Sequence, residues 1–365
     1  MVICFECPQR TKRLIDELLA EGRYKDYSEL LISAVDNLSV LQEQVRGTGS
    51  LVLETPLRSP REVQAAESNY EGSVSQMISR RKLLSLGSLP ENPRAGVHVV
   101  PDGRNHGKII SLNEWIFGQY NKILPAKVSC RALANLLVNE PRGISLKEVA
   151  ERIGDEARLL AEHLKQHDEM FSIERDDALS TAFPTVGSSG TSGSAVARYA
   201  NHFVGHYEKG MLAGLLADLK LLAESGDDGR VALTEPGWRF ALMPNPILDG
   251  DQDHPRQKFS PNEIDFLLLH IAEYVPRERF AYRAVLQAIS EGAFTPNMLD
   301  AALQKRCLFA AEGQHYSPSF LTSQRSGAVS RMADLGLVSR IRNGTKVTYN
   351  VLKAGNQCLT KYADN

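Results

Sequence analysis

Two periods of hydrophobic positions follow one another near the start of the chain. Residues 2–45 begin with an apolar alternation that includes Ile3 and Phe5, and a period of two predicts a half-buried strand. Pro8 ends this strand because proline has no N–H to donate to a β-ladder. The apolar positions then recur at helical spacing, in two stretches separated by Gly22. The pattern predicts one strand followed by two helices.

A unit of this size cannot be stable alone. One strand and two helices bury too little apolar surface, and a lone strand leaves both of its edges unpaired. The order of strand, proline, helix, glycine loop and a second helix from Asp26 resembles the ribbon-helix-helix family of DNA-binding proteins. The resemblance implies a homodimer whose paired strands lie in the major groove of double-stranded DNA. It also implies that Tyr27 and Ser28, at the start of the second helix, hold a phosphate.

The strand side that would face the bases is unusual for that family. Its residues are Val2, Cys4 and Glu6, none of which is basic or an amide. We therefore expect residues 1–46 to act as a dimerisation arm, with base contact by these three residues as the alternative.

Composition narrows the class of protein. The chain has 365 residues, 42% hydrophobic and 24% charged, with a net charge of −2, so two or three domains are expected. No apolar run approaches the roughly 18–20 residues of a membrane span, and the N-terminus is not a signal peptide. Five scattered cysteines fit reduced thiols in a cytoplasm, and the Cys4–Cys7 pair is interpreted as structural. The sequence predicts a cytoplasmic protein without a membrane partner.

A linker is expected over residues 47–108, partly disordered and basic. It contains Arg80, Arg81 and Lys82, which form either a solvated turn or a tethered contact to the DNA backbone. Residues 76–131 contain nine basic and three acidic side chains, a local charge of +6.

Residues 109–250 are predicted to form a helical body with two units that resemble the winged helix-turn-helix family. In the first, Ser145 caps a short helix, Gly154 and Asp155 form a turn, and a second helix leads to a strand at residues 170–175. The acidic residues of this second helix make it a poor reader of a DNA groove.

The second unit of the body has a helix over Ala195–Val204, a helix over Met211–Ala223, and a hairpin of Arg230–Leu233 and Trp238–Leu242. Its surroundings are acidic, so we expect it to pack or to bind a protein partner before it binds DNA.

The part over residues 251–365 gives the best winged-helix resemblance. Helices are predicted over Asn262–Tyr274, Phe280–Ser290 and Thr295–Lys305, followed by a further helix that Gly336 ends. Two alternating strands about Asn343-Gly344 are a strong hairpin signal. Residues 317–362 have seven basic side chains and one acidic, a local charge of +6.

The candidate DNA contacts lie in this last unit. By the resemblance, the helix before the hairpin reads base edges, and its predicted contacts are Gln324, Arg325, Ser326, Ser330 and Arg331. The hairpin would act as a wing that enters a minor groove with Arg340, Arg342 and Lys346. The alternative is a solvated basic hairpin in a scaffold.

Catalytic motifs give no comparable signal. His163 with His167, and His202 with His206, have the spacing that places two imidazoles on one helix face, so a metal site is possible. No third ligand follows at a fixed spacing, and packed or surface histidines are the preferred interpretation. We therefore predict no enzyme, no metal and no cofactor.

These observations predict a mainly α fold with small β hairpins, in which a ribbon-helix-helix arm is followed by tandem winged-helix-like units. The expected function is a dimeric, sequence-specific prokaryotic transcriptional regulator. The alternative is a non-catalytic scaffold or adaptor whose winged-helix units bind proteins in a replication, segregation or defence complex.

Overall fold

The computed structural model describes residues 83–90, 96–101, 110–173, 175, 177–184, 192–226, 229–250, 257–308, 316–344 and 346–363. All of them belong to one structural unit, Gln64–Asn365. The predicted arm over residues 1–46 and most of the linker over residues 47–108 lie outside the described residues. The same holds for the predicted contacts Val2, Cys4, Glu6, Tyr27, Ser28, Arg80, Arg81 and Lys82.

The described chain is mainly helical. Its α-helices are α1 (Leu124–Leu137), α2 (Leu146–Met170), α3 (Ser192–Tyr199), α4 (Leu215–Asp218), α5 (Glu235–Leu242), α6 (Pro246–Asp249), α7 (Pro261–Tyr274), α8 (Pro276–Ser290), α9 (Pro296–Leu308), α10 (Pro318–Asp334) and α11 (Lys353–Ala363). Short 3₁₀ turns cover Leu86–Ser88, Leu112–Glu114 and Ser180–Ala182, and a π-helix covers Ala200–Val204.

The strands form small antiparallel sheets. They are β1 (Ile144–Ser145), β2 (His206–Glu208), β3 (Met211–Ala213), β4 (Leu222–Glu224), β5 (Arg230–Leu233), β6 (Val338–Asn343) and β7 (Lys346–Val351). β1, β5 and β4 pair in that order, and β2–β3 and β6–β7 are hairpins. The prediction of a mainly helical chain with small β hairpins is confirmed.

Helix α2 corrects the expected short helix and turn. It runs unbroken for 25 residues, with the Ser145 side chain accepting the N–H of Glu148 at its start. Gly154 lies inside this helix. A Cβ at that position would come within 2.7 Å of Val196 Cγ1. The glycine therefore permits close packing of α3 and does not mark a turn. The predicted strand at residues 170–175 is also wrong, since Phe171 and Ser172 form a turn.

The expected helix over Met211–Ala223 is replaced by β3, the single-turn helix α4 and β4. Gly214 has φ +118 and Lys220 has φ +57, and neither conformation continues a right-handed helix. The predicted strand over Trp238–Leu242 is part of helix α5. The Thr234 side chain caps α5 by accepting the N–H of Gly237, and Pro236 occupies its first turn.

The C-terminal elements match the sequence pattern. Helices occupy the three predicted places, and α7 begins with a capping box between Ser260 and Glu263. Gly336 follows α10 with φ +68, as expected for the residue after a helix. The hairpin is present, with Asn343 opposite Lys346 at its turn.

One hydrophobic cluster of buried side chains extends from Leu84 to Cys358. The expected domain boundary between residues 250 and 251 therefore does not coincide with a break in the described core. No described helix combines the length and the apolar character that crossing a membrane requires.

Candidate nucleic-acid interface

The β6–β7 hairpin has two different faces. Arg340 lies opposite Tyr349, and Arg342 lies opposite Val347, and directly opposed residues of an antiparallel pair share a face. Tyr349 is buried, so this face is turned toward the body of the protein at its base. Arg340 is half-buried there and its Nη1 donates to Ser330 Oγ at 3.4 Å.

The tip of the hairpin is basic and exposed. Arg342, Asn343 and Lys346 are all exposed, and Gly344 makes the turn with φ +62. No acidic residue occurs from residue 338 to residue 351. The tip can therefore present two cations and an amide to a phosphate chain, with no acidic side chain on either strand.

Helix α10 does not present the side chains that the winged-helix resemblance assigned to base reading. Gln324 is 2% exposed, Arg325 6%, Ser330 5% and Arg331 0%. The prediction that Gln324, Arg325 and Ser330 face outward is wrong, whereas Ser326 is exposed. Residues 112–123 of the same chain lie against this helix and form hydrogen bonds with its polar side chains. The Gln324 Nε2, for example, donates to the Leu112 carbonyl at 2.8 Å.

The contact between α10 and residues 112–123 is unusually close. A Cβ on Gly118 would come within 2.2 Å of the Ser323 carbonyl oxygen, and one on Gly327 within 2.3 Å of the Gly118 carbonyl oxygen. Only paired glycines allow two backbones to approach in this way. The spacing of apolar residues along α10 contained no sign of this partner.

Arg325 holds the hairpin in place. Its Nε donates to Asp300 Oδ1 of α9 at 2.7 Å, and its Nη1 donates to the Tyr349 hydroxyl at 2.7 Å. Burial raises the pKa of Tyr349, while the Arg325 charge acts against that rise. Arg325 therefore joins α9, α10 and β7, and its role in the described chain is to position the hairpin.

Arg331 is wholly enclosed. Its Nε and Nη2 donate to the two carboxylate oxygens of Glu278 at 2.5 and 2.9 Å, and its Nη1 donates to the Tyr120 carbonyl at 2.7 Å. Both side chains of this ion pair are 0% exposed. Burial alone would lower the pKa of Arg331, but the Glu278 charge and hydrogen bonds outweigh it and raise that pKa.

Asp334, at the C-terminal end of α10, contributes to the contact between this helix and residues 112–123. One carboxylate oxygen accepts the N–H of Ile123 at 3.0 Å, and the other accepts from Lys258 Nζ at 2.9 Å. Lys122 is half-buried nearby, and its pKa is lowered by burial and by the positive charges of Lys258 and Arg340, while Asp334 opposes that fall. The base of the hairpin thus lies in a cationic neighbourhood with one buried carboxylate.

The body of the protein shows the opposite arrangement of charge. On α2 the pairs Lys147–Glu151, Arg152–Glu148, Arg158–Glu162 and Lys165–Glu169 form at spacings of four residues. Each of these cations has an acidic neighbour, which is typical of a solvated helix face. The expectation that this helix is a poor reader of a DNA groove stays a prediction.

The two histidine pairs lie in different surroundings. His167 is buried and its ring lies 4.6 Å from that of Phe171, while His202 packs on Tyr120 at 5.3 Å. The Nδ1 of His206 lies 3.0 Å from the Asn201 carbonyl oxygen. Within the part of the chain that the structure describes, no group of three or more potential metal-binding side chains occurs.

Comparison of the chain with protein-family models, with curated proteins and with solved structures gave no match.

Proposed function

We propose that the protein is a cytoplasmic, dimeric, sequence-specific DNA-binding protein that regulates transcription, and that the β6–β7 hairpin contacts the DNA backbone. The observation that carries the proposal is the exposed tip of the hairpin, where Arg342, Asn343 and Lys346 lie on strands without an acidic residue. Cations placed in this way attract phosphates and displace the counterions condensed on the DNA, which favours binding at low salt.

Because side chains of α10 are buried, this proposal assigns base contact and backbone contact to different parts of the protein. Because Gln324, Arg325, Ser330 and Arg331 are engaged within the chain, the hairpin supplies affinity and the N-terminal arm supplies base contact. The arm's part rests on its resemblance to the ribbon-helix-helix family and on Val2, Cys4 and Glu6. A two-fold dimer then calls for an inverted-repeat binding site.

Changing Arg342 and Lys346 together to Ala is expected to weaken DNA binding by about 1–3 kcal/mol for all sequences alike. The slope of log affinity against log salt should fall by about 2, because two phosphate contacts are lost. Fluorescence anisotropy of full-length protein with a labelled random duplex and with an enriched site, at several salt concentrations, measures both quantities.

The matched control changes Lys147 and Lys165 to Ala, which removes the same charge from exposed positions on α2. This control should retain the wild-type salt slope. Equal weakening by both double variants would assign the effect to net charge and remove the hairpin from the proposal. No binding of the wild-type protein to either duplex would contradict DNA binding as a whole.

The second candidate is a scaffold or adaptor, and a specific observation favours it. Among the side chains expected to read bases, Gln324 and Arg331 donate to carbonyls of residues 112–123, and Arg325 donates to Asp300 and Tyr349. On α2, Lys147, Arg152, Arg158 and Lys165 are paired with carboxylates. A scaffold of this kind has no DNA affinity as an isolated dimer and co-purifies with a partner, so the anisotropy experiment distinguishes the two functions.

A further inference from the structure

Asn343 and Gly344 form the only Asn-Gly dipeptide in the chain. They stand at the tip of the β6–β7 hairpin, where Asn343 is the last residue of β6 and both residues are exposed. Gly344 makes the turn with φ +62, and a Cβ added to it would have no atom within 4 Å. The space around this dipeptide is therefore open.

An exposed Asn-Gly pair contains both reactive groups of a deamidation. The backbone nitrogen of Gly344 can close a five-membered ring with the side-chain amide carbon of Asn343. Once its N–H has lost a proton to water or hydroxide, this nitrogen bonds to Cγ of Asn343, and the side-chain nitrogen leaves as ammonia. Water then opens the cyclic imide at either carbonyl and gives aspartate or the β-linked isoaspartate. Solvent water is the only co-reactant.

Two features of the hairpin favour this reaction. Glycine has no Cβ, so nothing on residue 344 obstructs the approach of its nitrogen to Cγ of Asn343. The tip is also the end of a two-stranded sheet with exposed side chains, and such an end opens locally at a small free-energy cost. Asn297, Asn350 and Asn356 are exposed too, but the residues that follow them are Met, Val and Gln, whose side chains hinder the approach.

The product changes the charge of the tip. Residues 338–351 contain three basic side chains and no acidic one, so one carboxylate lowers their charge from +3 to +2. Asn343 lies directly opposite Lys346, and the Cβ atoms of opposed residues lie about 4.5–5.5 Å apart. The new carboxylate is thus within reach of the Lys346 ammonium. The isoaspartate product also adds a methylene group to the backbone and disturbs this pairing.

We propose that Asn343 is a site of spontaneous deamidation, and that the carboxylate formed there weakens the contact between the hairpin tip and phosphate. The second part rests on the proposed DNA contact of the hairpin, and the first part does not. The reaction runs in one direction, so the affinity of the hairpin for a phosphate chain declines as the protein ages.

Peptide mapping by mass spectrometry tests the chemical step. Full-length protein is incubated in mildly alkaline buffer and digested at acidic pH, which stops the reaction. The peptide with residue 343 should acquire the mass of an acid and separate into aspartate and isoaspartate forms. The reaction should be at least about tenfold faster than at Asn297, Asn350 and Asn356, a gap of about 1.4 kcal/mol in activation free energy. Equal rates at the four sites, or no acid at residue 343, would overturn the proposal.

The variant Asn343→Asp tests the consequence. It imitates the product and should fold, because Asp-Gly also suits a tight hairpin turn. We expect it to bind every duplex about three- to tenfold more weakly, with a salt slope lower by about 1. The control Asn350→Asp adds the same charge four residues along β7 from Lys346, about 13 Å away. This distance exceeds the screening length of roughly 8–10 Å, so the control should keep the wild-type slope.

Incubation connects the two parts of the proposal. Asn343→Gln would have to close a larger ring, so its DNA affinity should stay constant while that of the wild type falls. Wild-type affinity of Asn343→Asp, where the Arg342 and Lys346 double variant binds weakly, would overturn the second part. If fresh wild-type protein binds no DNA, the proposed function and the second part fail together, and the peptide map alone decides the deamidation of Asn343.

Discussion

Truncation of Glu278 to Ala is expected to lower the free energy of unfolding by about 3–5 kcal/mol. The carboxylate is 0% exposed and receives two hydrogen bonds from Arg331, which is also 0% exposed. Removing it leaves a guanidinium in the core without its hydrogen-bonded counter-charge, although the charge of Asp218 still acts on it. The Tyr120 carbonyl would remain as an acceptor for Nη1, but it cannot neutralise the charge.

Equilibrium denaturation in urea measures this loss through the transition midpoint. Glu278→Gln keeps the side-chain shape while it removes the charge, so it should be destabilising but milder. Glu169→Ala, which removes one member of the exposed Lys165–Glu169 pair, should change stability by less than about 0.5 kcal/mol.

The double variant Glu278→Leu with Arg331→Met removes both charges at once. It should recover most of the loss, because no buried charge is left unpaired. A Glu278→Ala protein as stable as the wild type would show that Arg331 reaches water, contrary to its burial.

Replacement of Gly327 by Ala is expected to destabilise the protein by about 1–3 kcal/mol or more. In a helix interior the change alone would add about 1 kcal/mol of stability, because Ala is the better helix former. The new Cβ would however meet the Gly118 carbonyl oxygen at 2.3 Å and the Gly118 Cα at 2.5 Å. These are backbone atoms, so residues 112–123 and α10 would have to separate.

Thermal unfolding followed by circular dichroism measures the Gly327 effect, with Gly87→Ala as the control. The nearest atom to a Cβ at Gly87 is Ser85 Oγ at 3.9 Å, so the control should be nearly neutral. A stabilised Gly327→Ala protein would mean that helix propensity outweighs the contact. That result would contradict the close contact between α10 and residues 112–123.

The sequence predicts local structure best where one period and one end signal agree. The end of α10 and the β6–β7 hairpin satisfy this condition, because Gly336 and Gly344 each adopt a positive φ that favours glycine. The pattern over Met211–Ala223 fails because five leucines at helical spacing also suit short buried strands, and the glycine at 214 decides between the two. Gly154 was misleading for a related reason, since a glycine for close packing and a glycine for a turn look alike in a sequence.

The candidate DNA interface shows a second limit of prediction from the sequence alone. The exposed tip with Arg342 and Lys346 follows from the hairpin signal and from local charge. The burial of Gln324 and Arg331 does not, because it depends on residues 112–123, about two hundred positions away. A helix read by itself cannot reveal which of its polar faces another segment covers.

One carboxylate oxygen of Asp334 accepts the N–H of Ile123, and the other accepts a hydrogen bond from Lys258 Nζ. Asp334 therefore connects the parts of the chain on the two sides of residue 250. The two parts of the chain are for that reason not interchangeable modules. A chimaera that joins residues 1–250 to a foreign C-terminal half would leave the amide of Ile123 and the carbonyls of Leu112 and Tyr120 without their partners. Substitutions on one side of this contact are tolerated only with matching ones on the other, so we expect the two halves to diversify together during evolution.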